Sequence, residues 1–280
     1  MPNVVFSLIA LALASAVSAA EPFRLAIMQA TKGEAEKYAP LVPYLKLKGV
    51  EASLVGMKSY QDAAAKFSAG EADAMFSGSG VAAGLILKGL AQPSVRPESA
   101  EGLSTYWATI VAKAGTPAVT DPKVLDGKKV LTCALASSGE IYLRALTRSA
   151  GVKPEILIAP SHGAALAALA KDQADYAVVK NRVWDKEKAK YADLAEVGKD
   201  VGENPDSVLM IAVKADQTVA AAVRTALLAL EADASPEAKA VKESLKLARF
   251  IPTGADAYSH SLEILQKAGA DKDWAFTFAP

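Results

Sequence analysis

From Phe23 onward, short apolar runs alternate with longer stretches in which apolar residues recur every three or four positions. Runs of the first kind, Phe23–Gln29, Ala52–Gly56, Ala72–Phe76 and Tyr106–Ala112, read as buried strands. Between them, Glu34–Lys48 places Tyr38, Leu41, Val42 and Leu45 on one helical face, with Gly49 as its stop. Tyr60–Ser68, closed by Gly70, and the apolar Val81–Leu87 read as two further helices. A β-α-β-α-β-α order predicts a mainly parallel sheet with helices on both faces. Ligands of such sheets bind outside the carboxyl ends of the strands. Three small or polar loops fall at such ends: Gln29-Ala30-Thr31, Ser77-Gly78-Ser79 and Ala136-Ser137-Ser138.

A second α/β unit follows a turn-rich stretch, Gly115–Gly127. Its expected strands are Lys129–Thr132, Glu155–Ala159 and Asp175–Val179, with helices from Ser138 to about Ser149 and over Ala164–Lys171. Gly202-Glu203-Asn204-Pro205 punctuates again before a strand at Ser207–Val213 and helices at Thr218–Leu230, Pro236–Leu245 and Ala257–Ala268. The expected fold is α/β in two lobes: 21–113 and 206–280 form the first, and 114–205 is inserted as the second. Crossovers near Ala112–Gly115 and Asn204–Ser207 would then form a hinge beneath a cleft.

Val4 to Ala20 carries no charge and ends in Ala16-Val17-Ser18-Ala19-Ala20, the shape of a cleavable secretory signal over residues 1–20. Met1-Pro2-Asn3 lacks the usual basic residue, and a retained anchor is the other reading. The rest is nearly charge-balanced, with 31 basic and 31 acidic residues in the whole chain and no basic stripe, so a nucleic-acid partner is not expected. One cysteine and two histidines argue against a Cys/His metal site, and no cofactor is expected. Cys133 ends an expected strand and reads as core, with a reactive thiol as the minority reading.

The Ala136–Glu140 segment supports two readings. A helix that begins at Ser137-Ser138-Gly139 can hold an anion on its free N–H groups and hydroxyls. Ser137-x-x-Glu140 is also a capping box, which would spend those groups on the helix itself. His162 likewise reads as either a helix cap or a ligand contact.

Several segments occur in the order of a known family. They include Tyr38-Ala39-Pro40-Leu41, Ala69-Gly70-Glu71-Ala72-Asp73-Ala74, Phe76-x-Gly78 and Thr105-Tyr106-Trp107-Ala108-Thr109. Leu125-Asp126-Gly127-Lys128-Lys129-Val130, Ala136-Ser137-Ser138-Gly139, Ser161-His162-Gly163 and Ala174–Val179 follow. With these, the chain resembles periplasmic substrate-binding proteins of ABC transporters for phosphate, phosphite and phosphonate. The resemblance implies a two-lobed periplasmic binding fold, no catalysis, a small phosphorus oxyanion in the cleft and delivery to an inner-membrane permease. A monomer is expected. The resemblance places ligand contacts at Ser137, Ser138 and Gly139, at His162, at Tyr106, and at Ser77, Gly78 and Ser79; Thr31, in the first strand-end loop, and Asn181 are further candidate contacts.

Departures from the family pattern narrow the ligand. Asn181 stands where an acidic residue would meet a ligand amino group, and Lys180 precedes it, so a cationic tail is disfavoured. Ser79 replaces a proline and Glu140 an apolar residue. A sensor of the same fold, feeding a membrane histidine kinase or chemoreceptor, is the alternative function. No Gly-x-Ser-x-Gly elbow supports a hydrolase.

Overall fold

A computed structural model describes residues 21–28, 35–133 and 136–278. The expected signal segment and the Gln29-Ala30-Thr31 loop, Thr31 included, lie outside these residues. In chain order the first strands and helices are β1 (Phe23–Met28), α1 (Leu41–Leu47), β2 (Ala52–Met57), α2 (Tyr60–Ala69), β3 (Ala74–Ser77), α3 (Ser79–Leu87) and β4 (Ala91–Glu98). Next come β5 (Thr105–Tyr106), β6 (Ala108–Lys113), β7 (Lys129–Cys133), α4 (Ser138–Ala150), β8 (Glu155–Ala159), α5 (His162–Ala170) and β9 (Tyr176–Lys180). The rest are α6 (Asn181–Glu187), β10 (Leu194–Lys199), β11 (Asn204–Pro205), β12 (Val208–Ala212), α7 (Gln217–Leu228), α8 (Pro236–Leu245), β13 (Arg249–Pro252) and α9 (Ser259–Lys267).

Two lobes form around two sheets, in the orders β13-β4-β12-β3-β1-β2 and β10-β6-β9-β7-β8. Parallel pairing holds where the sequence shows β-α-β units, in β2-β1-β3 and β8-β7-β9. The other pairings are antiparallel, so both sheets are mixed rather than mainly parallel. For the pairings of β6 and β12 the cause is the crossing. The strands that lead helices run towards the cleft, whereas β6 and β12 each enter a sheet from the cleft and must run the opposite way.

The crossings themselves are a short antiparallel ribbon, in which Tyr106 faces Asn204 and Thr105 faces Pro205. The backbone N–H of Asp206 extends it by donating to Ser104 O at 3.0 Å. The first passage therefore lies before Ala108, not at the expected Ala112–Gly115, because Ala108–Lys113 pairs with β9 in the second sheet. A single apolar run, Tyr106–Ala112, hides the change of partner: Tyr106 belongs to the ribbon and Ala108 onward to the second lobe.

The first lobe's core gathers Phe23, Leu25, Ile27, Tyr44, Met75, Leu85, Leu209 and Phe250, all buried. Ile141 and Ala145 of α4 join that same core, as do Trp274 and Phe276. The second sheet is covered on one face by Leu166, Leu169 and Trp184 and on the other by Leu125 and Leu143, which pack with Val130 of β7. Helix α9 packs on both α3 and α4 and so ties the lobes together a third time. Gly84 of α3 leaves room for the segment that follows α9: a Cβ there would lie 2.7 Å from the rings of Trp274 and Phe276.

Local chemistry sets several boundaries. Pro40 divides the expected Glu34–Lys48 helix into a 3-10 turn at Ala35–Tyr38 and α1. Gly70, left-handed at φ 76°, closes α2 as expected. Cys133 ends β7 only partly buried, not in the core.

Candidate functional site

Buried β3 delivers the chain to the cleft at Ser77, and α3 begins two residues later. The residue between them, Gly78, is extended and has no side chain with which to cap the helix. The first N–H groups of α3 are therefore left without the side-chain acceptor that most helix starts recruit. Ser79, the first helical residue, is fully buried, and α3 is apolar on all sides because it lies within the core.

The second lobe presents α4 in a matching way, with its own cap resolved. Ser137 Oγ accepts from the backbone N–H of Glu140 at 3.2 Å. The fully buried Glu140 carboxylate reaches back to accept from Ala136 N at 2.7 Å and from Arg144 Nε at 2.9 Å. This is a capping box whose return bond lands one residue early, on Ala136, which takes the left-handed conformation at φ 59°. Glu140 and Ser137 are thus both occupied by the cap. Ser138 Oγ instead meets the Tyr106 hydroxyl.

Tyr106, from the hinge ribbon, joins the two helix starts. Its hydroxyl hydrogen-bonds to Ser79 Oγ at 2.6 Å and also to Ser138 Oγ. All three residues are buried, so a chain of hydroxyls runs from one lobe through the hinge to the other. The backbones meet just as closely. A Cβ placed on Gly80 would lie 2.5 Å from Ala136 O and 3.1 Å from Ser138 N. Only glycine lets the two helix N-termini come together here. Sequence reading passed over Gly80, although it sits in the same Ser-Gly-Ser-Gly run.

Beside this chain lies a charged group. Lys180 Nζ, at the end of β9, donates to Asp206 Oδ1 at 2.7 Å and sits 4.1 Å from the centre of the Tyr106 ring. Arg182 Nη1 reaches Asp206 Oδ2 at 3.4 Å, and its other amino group donates to Thr105 O. Burial raises the Asp206 pKa, but Lys180 and Arg182 outweigh it and hold the carboxyl below the usual range. Lys180 shows the converse: burial opposes its charge, and Asp206 and Tyr106 raise its pKa nonetheless. His162, at the start of α5, has its pKa pushed down to about 4 by burial and by Lys180, against a smaller opposing pull from Asp206. It is neutral at pH 7.

Three buried polar atoms around this cleft, Ser77 Oγ, His162 Nδ1 and Tyr258 OH, have no hydrogen-bond partner among the described residues. Tyr258, just before α9, is close enough to Tyr106 and Asp206 to feel their charges, and no sequence motif marked it. A buried donor or acceptor without a partner is costly, about 1–3 kcal/mol, so such a group is a reason to expect a bound molecule.

The other expected contacts have structural duties. Asn181 Oδ1 accepts from Trp107 N at 3.1 Å, which pins the second lobe to the hinge. Gly139 faces Val178 of β9, where an added Cβ would make an ordinary contact at 3.4 Å. Ser161 Oγ caps α5 by accepting from Ala164 N, which leaves the His162 ring free of that task.

A family model described as an ABC-transporter, phosphonate, periplasmic substrate-binding protein matches residues 27–258. No curated protein matches the chain by sequence. Among solved structures, XAC2383 from Xanthomonas citri bound to chloride aligns with a TM-score of 0.72 at 18% identity, covering 88% of this chain and 96% of that one. A binding protein component of an ABC phosphonate transporter from Pseudomonas aeruginosa aligns at 0.65 and 14% identity over 88% and 85% of the two chains. PhnD1 from Prochlorococcus marinus in complex with methylphosphonate gives 0.68 and 14% over 88% and 97%. The aliphatic sulphonate binding protein SsuA from Escherichia coli gives 0.54 and 14% over 89% and 91%.

Proposed function

Since the chain belongs to the phosphonate-binding family of periplasmic ABC-transporter substrate-binding proteins, we propose that it captures a small phosphorus oxyanion between its lobes and presents it to an inner-membrane permease. The observation that carries this reading is the hydroxyl chain Ser79–Tyr106–Ser138, strung between two helix N-termini from opposite lobes. A tetrahedral oxyanion offers several acceptors at once. It would replace hydroxyl–hydroxyl bonds with charge-assisted ones and gain the N–H groups and positive ends of both helices. Ser77 Oγ, His162 Nδ1 and Tyr258 OH, which have no hydrogen-bond partner among the described residues, would add further polar contacts. Neither a metal nor a direct guanidinium pair is required for such a site.

The ligand class follows from size and charge. The close approach of the two helix starts at Gly80 favours a compact head group over a bulky one. Phosphonates, phosphite and phosphate share that head, and the methylphosphonate bound by the Prochlorococcus relative has it too. The described residues include no helix long and apolar enough to cross a membrane, and periplasmic residence follows from the family.

Titration calorimetry with methylphosphonate, phosphite, phosphate, an alkyl sulfonate and arginine tests the proposal. One of the three phosphorus compounds should bind one-to-one, more tightly than the sulfonate or the amino acid. Preferential binding of the sulfonate or arginine would overturn it.

A further inference from the structure

The Lys180 ammonium is held in a cage. One wall is the Tyr106 ring, 4.1 Å away, and the other is the Asp206 carboxylate, 2.7 Å away. An aromatic face together with a carboxylate is the usual chemistry for gripping an ammonium ion. The Tyr106 ring that forms the wall also carries the hydroxyl that joins Ser79 to Ser138. The cage thus opens onto the place where the oxyanion would sit, and a ligand with an ammonium on a short tail would put that group there.

We infer that Lys180 is an internal substitute for a ligand ammonium: it fills a cage beside the hydroxyl chain that could hold a cationic tail, and so restricts the protein to anions without one. This deepens the oxyanion reading above and rests on it. The exclusion has two parts. The cage is physically filled, and the carboxylate is already matched. Asp206 bears one negative charge and meets both Lys180 and Arg182, so the group carries a net positive charge before any ligand arrives. Neutral His162 does not change that balance. An incoming ammonium would find like charge, whereas a dianionic head finds an unmatched cation within the same cleft.

Because Arg182 remains on Asp206, removing Lys180 should leave the carboxylate paired and the ribbon intact. The test compares methylphosphonate with 2-aminoethylphosphonate by calorimetry on the wild-type protein and on Lys180→Ala, Lys180→Gln and Lys180→Arg. The wild type should prefer methylphosphonate by about tenfold or more, as expected for an unpaired ammonium meeting like charge. Lys180→Ala and Lys180→Gln should each shift that ratio by about tenfold or more towards the amino compound, the strength of a good ammonium cage. Lys180→Arg keeps the cage filled and should not shift it. Thermal melts show which variants are folded, and either neutral variant suffices. An unchanged ratio in a folded neutral variant overturns the inference while leaving the oxyanion reading intact. A wild type that binds neither phosphonate, nor phosphite or phosphate, overturns both.

Discussion

Ser137 Oγ is committed to the Glu140 amide, whereas its neighbour Ser138 turns a buried hydroxyl towards Tyr106. The two serines should therefore fail in different assays. Ser137→Ala should cost about 1 kcal/mol of folding stability by thermal melt and leave affinity unchanged. Ser138→Ala should cost about 1–3 kcal/mol of oxyanion binding by calorimetry with little loss of stability. His162 adds a pH dependence. Its pKa of about 4 in the folded protein lies below the ordinary 6.5. Between those values the unfolded chain binds more protons, so stability is full above pH 6.5 and falls as pH drops towards 4. The loss should be on the order of 3 kcal/mol at most, at 1.36 kcal/mol per pKa unit. Denaturant titrations at pH 7 and pH 4.5 check this, with His162→Gln expected to flatten the difference.

Among the elements, the meeting of α3 and α4 is the most demanding contact. Gly80→Ala would push a methyl group against Ala136 O and Ile141 Cδ1, the latter at 2.7 Å. Overpacking of this kind costs about 1–3 kcal/mol, and here it falls on lobe closure. Ligand affinity should drop about tenfold or more, consistent with that cost. Unchanged affinity by calorimetry would mean that the helix starts need not meet. Glu140→Ala removes two bonds from a fully buried carboxylate, and should lower stability by about 2–4 kcal/mol in a thermal melt.

Element-level patterns explain why part of the account was readable in the sequence. Apolar runs that end in small-residue loops drew attention to Ser79 and Ser138, because strand ends and helix starts are local features, whereas Tyr106 came only from the family resemblance. Strand β4 was not readable: Pro93 and Pro97 lie within it, and proline in a run argues against an inner strand. Pro93 is accommodated where the pairing register with β12 shifts, between Leu209 and Met210. Strands β10 and β13 were also missed. Neither shows a clean two-residue alternation, β10 burying every third residue and β13 only Phe250, and each borrows its identity from a sheet assembled far along the chain. The Lys180 cage was invisible for a similar reason. Its carboxylate lies 26 residues away, beyond a second crossing, and only the register of the hinge ribbon brings the two together.

At the scale of the whole molecule, two chain crossings and the α9 contact join the lobes, and the buried hydroxyl chain lies on the hinge itself. Ligand should close the lobes about the Ser104–Trp107 and Asp200–Asp206 segments. Small-angle scattering should show a smaller radius of gyration at saturation, and Gly80→Ala should abolish that contraction. Contraction in the variant equal to that of the wild type would place closure on other contacts. The most direct test of the central claim is a crystal structure of the protein grown with the phosphorus oxyanion it binds best. We predict the phosphorus atom between the N-termini of α3 and α4, with its oxygens accepting from Ser79, Tyr106 and Ser138. An oxyanion bound anywhere else, with the Ser79–Tyr106–Ser138 hydroxyl chain still intact, would contradict the account.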